Sequence, residues 1–178
     1  MKIPIVNEQD EIIGEEERKI IHQNGLKHRE IHVWLVTPNQ EFIFQKRGDH
    51  QDTWPGFYDV TVGGHVDTKY ESYQECAQRE LLEETGIKVT IKFIEKQYRE
   101  SFDPNTKTQN NAFRCIFAGI CEGNLEEFKI EEGAGLGFRK FSLEEIKNFS
   151  EEMKGKVIPR FYSDDYFEMY NKIIKELF

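Results

Sequence analysis

Positive charge is in short supply in this chain: 24 lysines and arginines stand against 33 aspartates and glutamates, giving a net charge of -9 and a pI near 5.2. A surface with that excess repels phosphate polymers and anionic lipid, which excludes a general nucleic-acid or membrane-surface binder. A small phosphorylated substrate stays open if cations bridge the charge. Cysteine is scarce too. Cys76, Cys115 and Cys121 are odd in number and show no CxxC spacing, so neither a disulfide framework nor a cysteine zinc site is expected, only reduced and mostly buried thiols. Long apolar runs are missing: nothing approaches the roughly 18 residues that span a bilayer, and "MKIPIVNEQDEIIG" has no signal-peptide apolar core. The expected location is cytoplasmic. Internal repeats, low-complexity tracts and a linker are also lacking, so residues 1–178 read as one domain, with 147–178 as a C-terminal helical extension.

Aromatic residues, by contrast, make up 13% of the chain. They cluster at Trp34, at Trp54 to Tyr58 and from Phe161 to Phe178. Most such rings are core, although Trp34, Trp54 and Phe57 are candidates to line an apolar pocket. "IPIVNEQDEIIGEEE" reads as two short strands around a polar turn, and "EERKIIHQNGL" as a short helix stopped at Asn24-Gly25. "IHVWLV" and "EFIFQKR" form a hairpin around Thr37 to Gln40. After a glycine-broken loop, the run from Glu71 to Glu84 has neither Gly nor Pro and meets Gly86, which predicts a helix with a glycine stop. "KVTIKFIEKQYRESF", "NAFRCIFAGICEG" and "GLGFRKF" read as strands, and "SLEEIKNF" opens with the capping-box pair Ser142 and Glu145. "SDDYFEMYNKIIKELF" is an amphipathic closing helix capped by Ser163. Strands on both sides of a central helix, with helices late in the chain, predict an α/β fold: a mixed sheet sandwiched by helices.

The central helix carries chemistry. At about 100° per residue, Glu80, Glu83 and Glu84 converge on one side, beside the apolar stripe of Tyr73, Ala77 and Leu81. Carboxylates so close to a buried face need compensation. Arg79 supplies part of it, and a divalent ion is the economical remainder. Hard oxygen ligands of this kind suit Mg²⁺ or Mn²⁺.

From Glu71 onward the spacing is Glu, seven residues, Arg79-Glu80, Leu81, Glu83-Glu84, Gly86 and Ile87. This resembles the Nudix box, G-x5-E-x7-R-E-U-x-E-E-x-G-U with U aliphatic. The resemblance implies a Nudix hydrolase: an α/β/α sandwich that binds Mg²⁺ or Mn²⁺ on this helix and hydrolyses a small diphosphate substrate, acting as a monomer or homodimer. It also implies roles. Glu80 and Glu84 would be the principal metal ligands, Glu83 a further ligand or the base that activates water, Arg79 the orienter of the carboxylates and Glu71 a supporting acid. Glu131 or Glu132, after the last main strands, is a candidate extra ligand or base. One departure stands out: six residues separate Gly64 from Glu71 where the pattern has five. The insertion lies upstream of the helix, so it leaves the relative positions of Glu80, Glu83 and Glu84 alone, and Thr68 is the expected cap of a helix that starts slightly early.

The N-terminal half, with its His28-Arg29 pair, "QKR" and "TWPG", is similar to the isopentenyl-diphosphate-isomerase-like branch of that family. With the box, this likeness covers roughly residues 3 to 146. A true isomerase is the alternative enzyme, and His22, His28 and His65 fall near places where it holds a metal with imidazoles. Against it, Gly63 stands where the isomerase needs its cysteine, and "TQNNAFRCIF" stands where its acidic strand belongs. A nucleotide-sensing Nudix domain without turnover ranks third, because every box acid is retained. Gly64 and His65 in the loop before the helix, with Arg29, Lys46, Arg47 and Arg99, are the expected substrate contacts.

Overall fold

The computed structural model describes residues 2–51, 53–104, 106–130 and 135–178. A hairpin opens the chain, β1 (Lys2–Val6) against β2 (Ile12–Glu17). Its turn is held by Asn7, whose Oδ1 accepts from the backbone N–H groups of Gln9 and Glu11. Helix α1 (Arg18–Asn24) ends at Gly25, where a φ of 63° supplies the left-handed stop that Asn24-Gly25 announces. The expected hairpin follows as β3 (His28–Val36) and β4 (Phe42–Arg47). Short strands β5 (Tyr58–Asp59) and β6 (Val62–His65) lead into α2 (Tyr73–Thr85). Two long strands come next, β7 (Lys92–Asp103) and β8 (Thr108–Ile120), and then β9 (Gly135–Phe141). The chain closes with α3 (Leu143–Lys147), α4 (Glu151–Lys154), a 3-10 turn at Pro159–Tyr162 and α5 (Asp164–Leu177).

All of these strands belong to one mixed sheet. Strand β3 is its hub, running parallel to β8 from His28 opposite Ala112 to Val36 opposite Ile120, and antiparallel to β6 from Glu30 opposite His65 to Val33 opposite Val62. A parallel pair needs a crossover connection, and α2 is the helix within it. Because strand side chains alternate, β3 feeds two cores. Ile31, Val33 and Leu35 pack with Cys76, Ala77 and Leu81 of α2. Trp34 and Val36 face the other way, into a core closed by Tyr166, Met169, Tyr170 and Ile173 of α5. Helices on both faces of a mixed sheet make the α/β/α sandwich that the sequence predicts.

Some local expectations need correction. Helix α2 begins at Tyr73 and is capped by Ser72, not Thr68. Ser72 and Glu75 form a reciprocal capping box, which outcompetes an earlier start. Thr68 instead closes the preceding turn, its Oγ1 accepting from Tyr70 N–H at 3.2 Å, so the extra residue is absorbed before the helix and Glu71 lies outside it. Ser163 occupies the N-cap position of α5 but makes no side-chain cap bond; its hydroxyl donates to the Arg160 carbonyl at 2.8 Å. Trp34 is a core residue instead of a pocket wall of the kind expected: it is fully buried, edge-on to Phe44, Phe161 and Tyr170. Helix α4, four residues long, is too short to register as a periodic pattern. The three thiols are free and buried, as expected.

Candidate active site and an adjoining histidine cluster

The ends of α2 are pinned by the Ser72 box and by Gly86, with φ 68°. Between them Ala77 and Leu81 anchor the helix, which brings Glu80 and Glu84, one turn apart, to the margin of the core. Glu84 is buried, and its Oε2 accepts from Gln45 Nε2 of β4 at 3.1 Å. Glu80 packs on the backbone of β6: a Cβ added to Gly64 would lie 2.7 Å from Glu80 Cγ. Burial pushes the Glu80 carboxyl up despite the adjacent Arg79 guanidinium, and burial raises Asp67 as well. Such partly dehydrated acids are the kind that a hard cation relieves.

Arg79 ties the surrounding acids together. It donates to both oxygens of Glu71 at 2.8 and 3.1 Å, to Glu80 Oε1 at 2.8 Å and to Glu83 Oε2 at 2.9 Å. These bonds hold Glu71, Glu80 and Glu83 around one guanidinium. Glu83 is the outlier of the three box acids on the helix, with 55% of its side chain exposed against 14% for Glu80.

Glu80 and Glu84 line a cavity of about 300 Å³ together with Gly64, His65 and Arg47. Of the expected substrate contacts, these three are brought to it. Arg29, Lys46 and Arg99 are not among the described residues lining it. Arg29 points to the α2 side of β3 with Ile31, donates through Nε to Asp10 Oδ1 at 2.7 Å and stacks over Tyr73. Arg99 pairs with Asp165 at 3.7 Å on the surface. Trp54 lines the cavity, whereas Phe57 packs against the core of α5. Glu131 and Glu132 lie outside the described residues.

A second donor set borders the same space. His22, His28 and His65 each offer a ring nitrogen, and these atoms lie within 4.8 Å of one another. Backbone carbonyls orient two of the rings: His22 Nδ1 donates to Gln109 O and His28 Nδ1 to Leu26 O, each at 3.0 Å. Both Nε2 lone pairs are thereby directed inward; His22 Nε2 lies 3.2 Å from His65 Nε2, and His28 Nε2 is buried with no hydrogen-bond partner among the described residues. Glu30 Oε1 stands 3.6 Å from His28 Nε2 and 3.7 Å from His65 Nε2. Burial lowers the pKa of His22 and of His65, and the neighbouring His28 lowers both further, so these two rings favour the neutral form that a metal requires. Burial alone would raise the Glu30 carboxyl, but Arg114, 2.7 Å away, and His28 hold it well below the usual range.

Sequence reasoning passed over Gln45, Glu30, His32, Asp59, Arg114 and Arg160. A signal for part of this set exists. His28, Glu30 and His32 alternate along one side of β3, a strand otherwise apolar, and polar residues at that period mark a polar pocket in a sheet face.

An α/β/α sandwich with carboxylates on the helix after a glycine-rich strand defines a class, and the sequence comparisons agree with it. The NUDIX domain family matches residues 26–161, and the chain belongs to that family. It is 29% identical over 159 residues to Nudix hydrolase 3 of Arabidopsis thaliana, covering 86% of this chain but only 20% of that longer protein. With the prenyl-diphosphate phosphatase of Methanosarcina mazei it shares 27% identity over 157 residues, 86% of each chain. The crystal structure of DR0079 from Deinococcus radiodurans matches in fold with a TM-score of 0.71 at 18% identity, over 97% of this chain and 99% of that one.

Proposed function

We propose that this chain is a Mg²⁺- or Mn²⁺-dependent hydrolase that cleaves a diphosphate linkage in a small nucleoside-diphosphate-type or related substrate. The observation that carries the reading is that Glu80 and Glu84 enter one cavity from α2, while Arg79 gathers Glu71, Glu80 and Glu83 beside them. A bound divalent cation polarises a phosphoryl oxygen and lowers the pKa of water. Glu80 and Glu84 are the residues that would hold it. Gln45 fixes the rotamer of Glu84, and Gly64 leaves room for Glu80. Glu83 serves as a further ligand or accepts the water proton. Gly64, His65 and Arg47 bound the substrate's side of the cavity. The name of the Methanosarcina relative brings prenyl diphosphates into the substrate class beside nucleotides.

The same reading takes 1–178 as one cytoplasmic domain, monomeric or homodimeric, in which the apolar face of α5, formed by Tyr166, Met169, Tyr170 and Ile173, is buried in the core with Trp34 and Phe42. No helix is long and apolar enough to cross a membrane. The test is a phosphate-release screen over nucleoside diphosphates, nucleotide sugars, dinucleotides and prenyl diphosphates with Mg²⁺ or Mn²⁺. Tight binding of a compound without turnover of any would favour a sensor instead.

The histidine cluster favours one second reading, membership of the isopentenyl-diphosphate-isomerase-like branch. The inward Nε2 atoms with Glu30 fit an imidazole-held metal. Isomerisation itself is opposed by Gly63, which offers no acid. Incubation with isopentenyl diphosphate decides: formation of the allylic isomer would reverse the ranking.

A further inference from the structure

Three arginines line the cavity, Arg18, Arg47 and Arg160, and the last two, which share Asp59, are not equivalent. Arg47 is spent on the protein: Nε donates to Thr53 O at 2.9 Å, Nη1 to Asp59 Oδ2 at 2.6 Å and Nη2 to Thr53 Oγ1 at 3.2 Å. Arg160, on the 3-10 turn between α4 and α5, donates through Nη2 to Asp59 Oδ1 at 3.3 Å, its one side-chain hydrogen bond among the described residues. Its Nε is buried and has no partner among the described residues. A guanidinium has five N–H donors, and a buried one left unmet is costly, while the Arg160 side chain as a whole is 24% exposed and borders the cavity.

The charge balance points the same way. Asp59 serves both Arg47 and Arg160, and Glu30 is taken by Arg114. Locally, Arg47, Arg114 and Arg160 share Asp59 and Glu30, while Arg18, Asp67, Glu80, Glu84 and Asp103 line the rest of the cavity. His32 does not add to the positive charge, because burial together with Arg114 and Arg160 keeps its ring neutral. Burial and the nearby Arg114 also lower the pKa of Arg160, as expected for a cation lacking a full counter-charge. The side chain is nevertheless held in place. Its guanidinium lies 4.7 Å from the Phe161 ring centroid, and the Tyr170 hydroxyl of α5 donates to the Phe161 carbonyl at 3.1 Å, which anchors the turn.

We propose that Arg160 is a substrate-binding residue whose unspent N–H fork receives two oxygens of a terminal phosphate, making the Pro159–Tyr162 turn part of the binding site. This rests on the reading of the cavity as a diphosphate site. An unesterified terminal phosphate has three non-bridging oxygens, so a bidentate contact to Arg160 leaves one for the acidic end of the cavity. A phosphate esterified on both sides has two, so the same contact leaves it no oxygen that is not shared with Arg160. The substrate class is therefore an organic diphosphate with a free terminal phosphate rather than a nucleotide sugar or dinucleotide.

The test is calorimetric binding of methylenediphosphonate in EDTA to the wild type, Arg160→Gln and Arg160→Lys, with exposed Lys172→Gln as a control. The wild type and control should bind alike. Arg160→Gln should bind about tenfold or more weakly, consistent with loss of a charge-assisted hydrogen bond. Arg160→Lys should fall between, with near-ultraviolet circular dichroism unchanged in both variants. UDP-glucose binding should be insensitive to Arg160→Gln. Equal diphosphonate affinity of Arg160→Gln and wild type, or no binding by the wild type, would overturn the assignment. Glu84→Gln separates the two proposals: it should keep diphosphonate binding in EDTA whether or not it loses metal-dependent turnover.

Discussion

Glu80 lies against the bare backbone of Gly64, so close that a methyl group on Gly64 would sit 2.7 Å from Glu80 Cγ and 2.8 Å from Cδ. Real Cβ contacts are not that short, so one of the two groups must move. The φ of Gly64 is not positive; the close approach, not backbone freedom, demands glycine here. Gly64→Ala should displace the Glu80 carboxylate and weaken Mn²⁺ binding by about tenfold, the scale typical of disturbed ligand orientation. Titration calorimetry checks this, and unchanged affinity would remove Glu80 from the ligand set.

Arg114 and Glu30 form a buried pair across β8 and β3, with side chains 2% and 8% exposed. Arg114→Met leaves the Glu30 carboxylate charged and stranded, and urea unfolding should show a loss of about 3–5 kcal/mol. Replacing both residues with apolar ones should recover most of that loss. If the single variant is as stable as the double, the pair is not the charge clamp described.

Stability should depend on pH through the neutral imidazoles. The pKa values of His22, His32 and His65 are lowered by burial and neighbouring cations. Between those values and the unfolded value of about 6.5, the unfolded chain binds more protons than the folded one. Their contribution is thus complete above about pH 6.5 and is lost as pH falls below it. Glu30, also lowered, withdraws its contribution only at more acidic pH, below the ordinary carboxylate value of about 4.3. In EDTA, Tm should drop between pH 7 and pH 5.5, and His65→Asn should drop less. A flat profile in the wild type contradicts neutral burial.

Much of this site was legible because helical spacing is a local property. The positions of Glu80, Glu83 and Glu84 follow from 3.6 residues per turn, and one inserted residue before Ser72 leaves them untouched. The cap itself was misplaced because Thr68 and Ser72 both offer hydroxyls, and only the reciprocal bond from Glu75 separates them. What the sequence hid were side-chain pairings between elements distant along the chain. Gln45 meets Glu84 across 39 positions, and Arg160 meets Asp59 across 101. Arg29 reads as a phosphate contact by charge alone, yet strand parity turns it toward Asp10 and Tyr73.

The claim that α2 is the metal platform rests most directly on Glu84. Glu84→Gln keeps the shape of the side chain and a polar partner for Gln45 while removing the charge. With Mg²⁺ and a diphosphate substrate from the phosphate-release screen, turnover should fall by about 100-fold or more, the scale expected for a group that stabilises transition-state charge, with circular dichroism and Tm showing an intact fold. Full Mg²⁺-dependent activity in this variant would contradict the account.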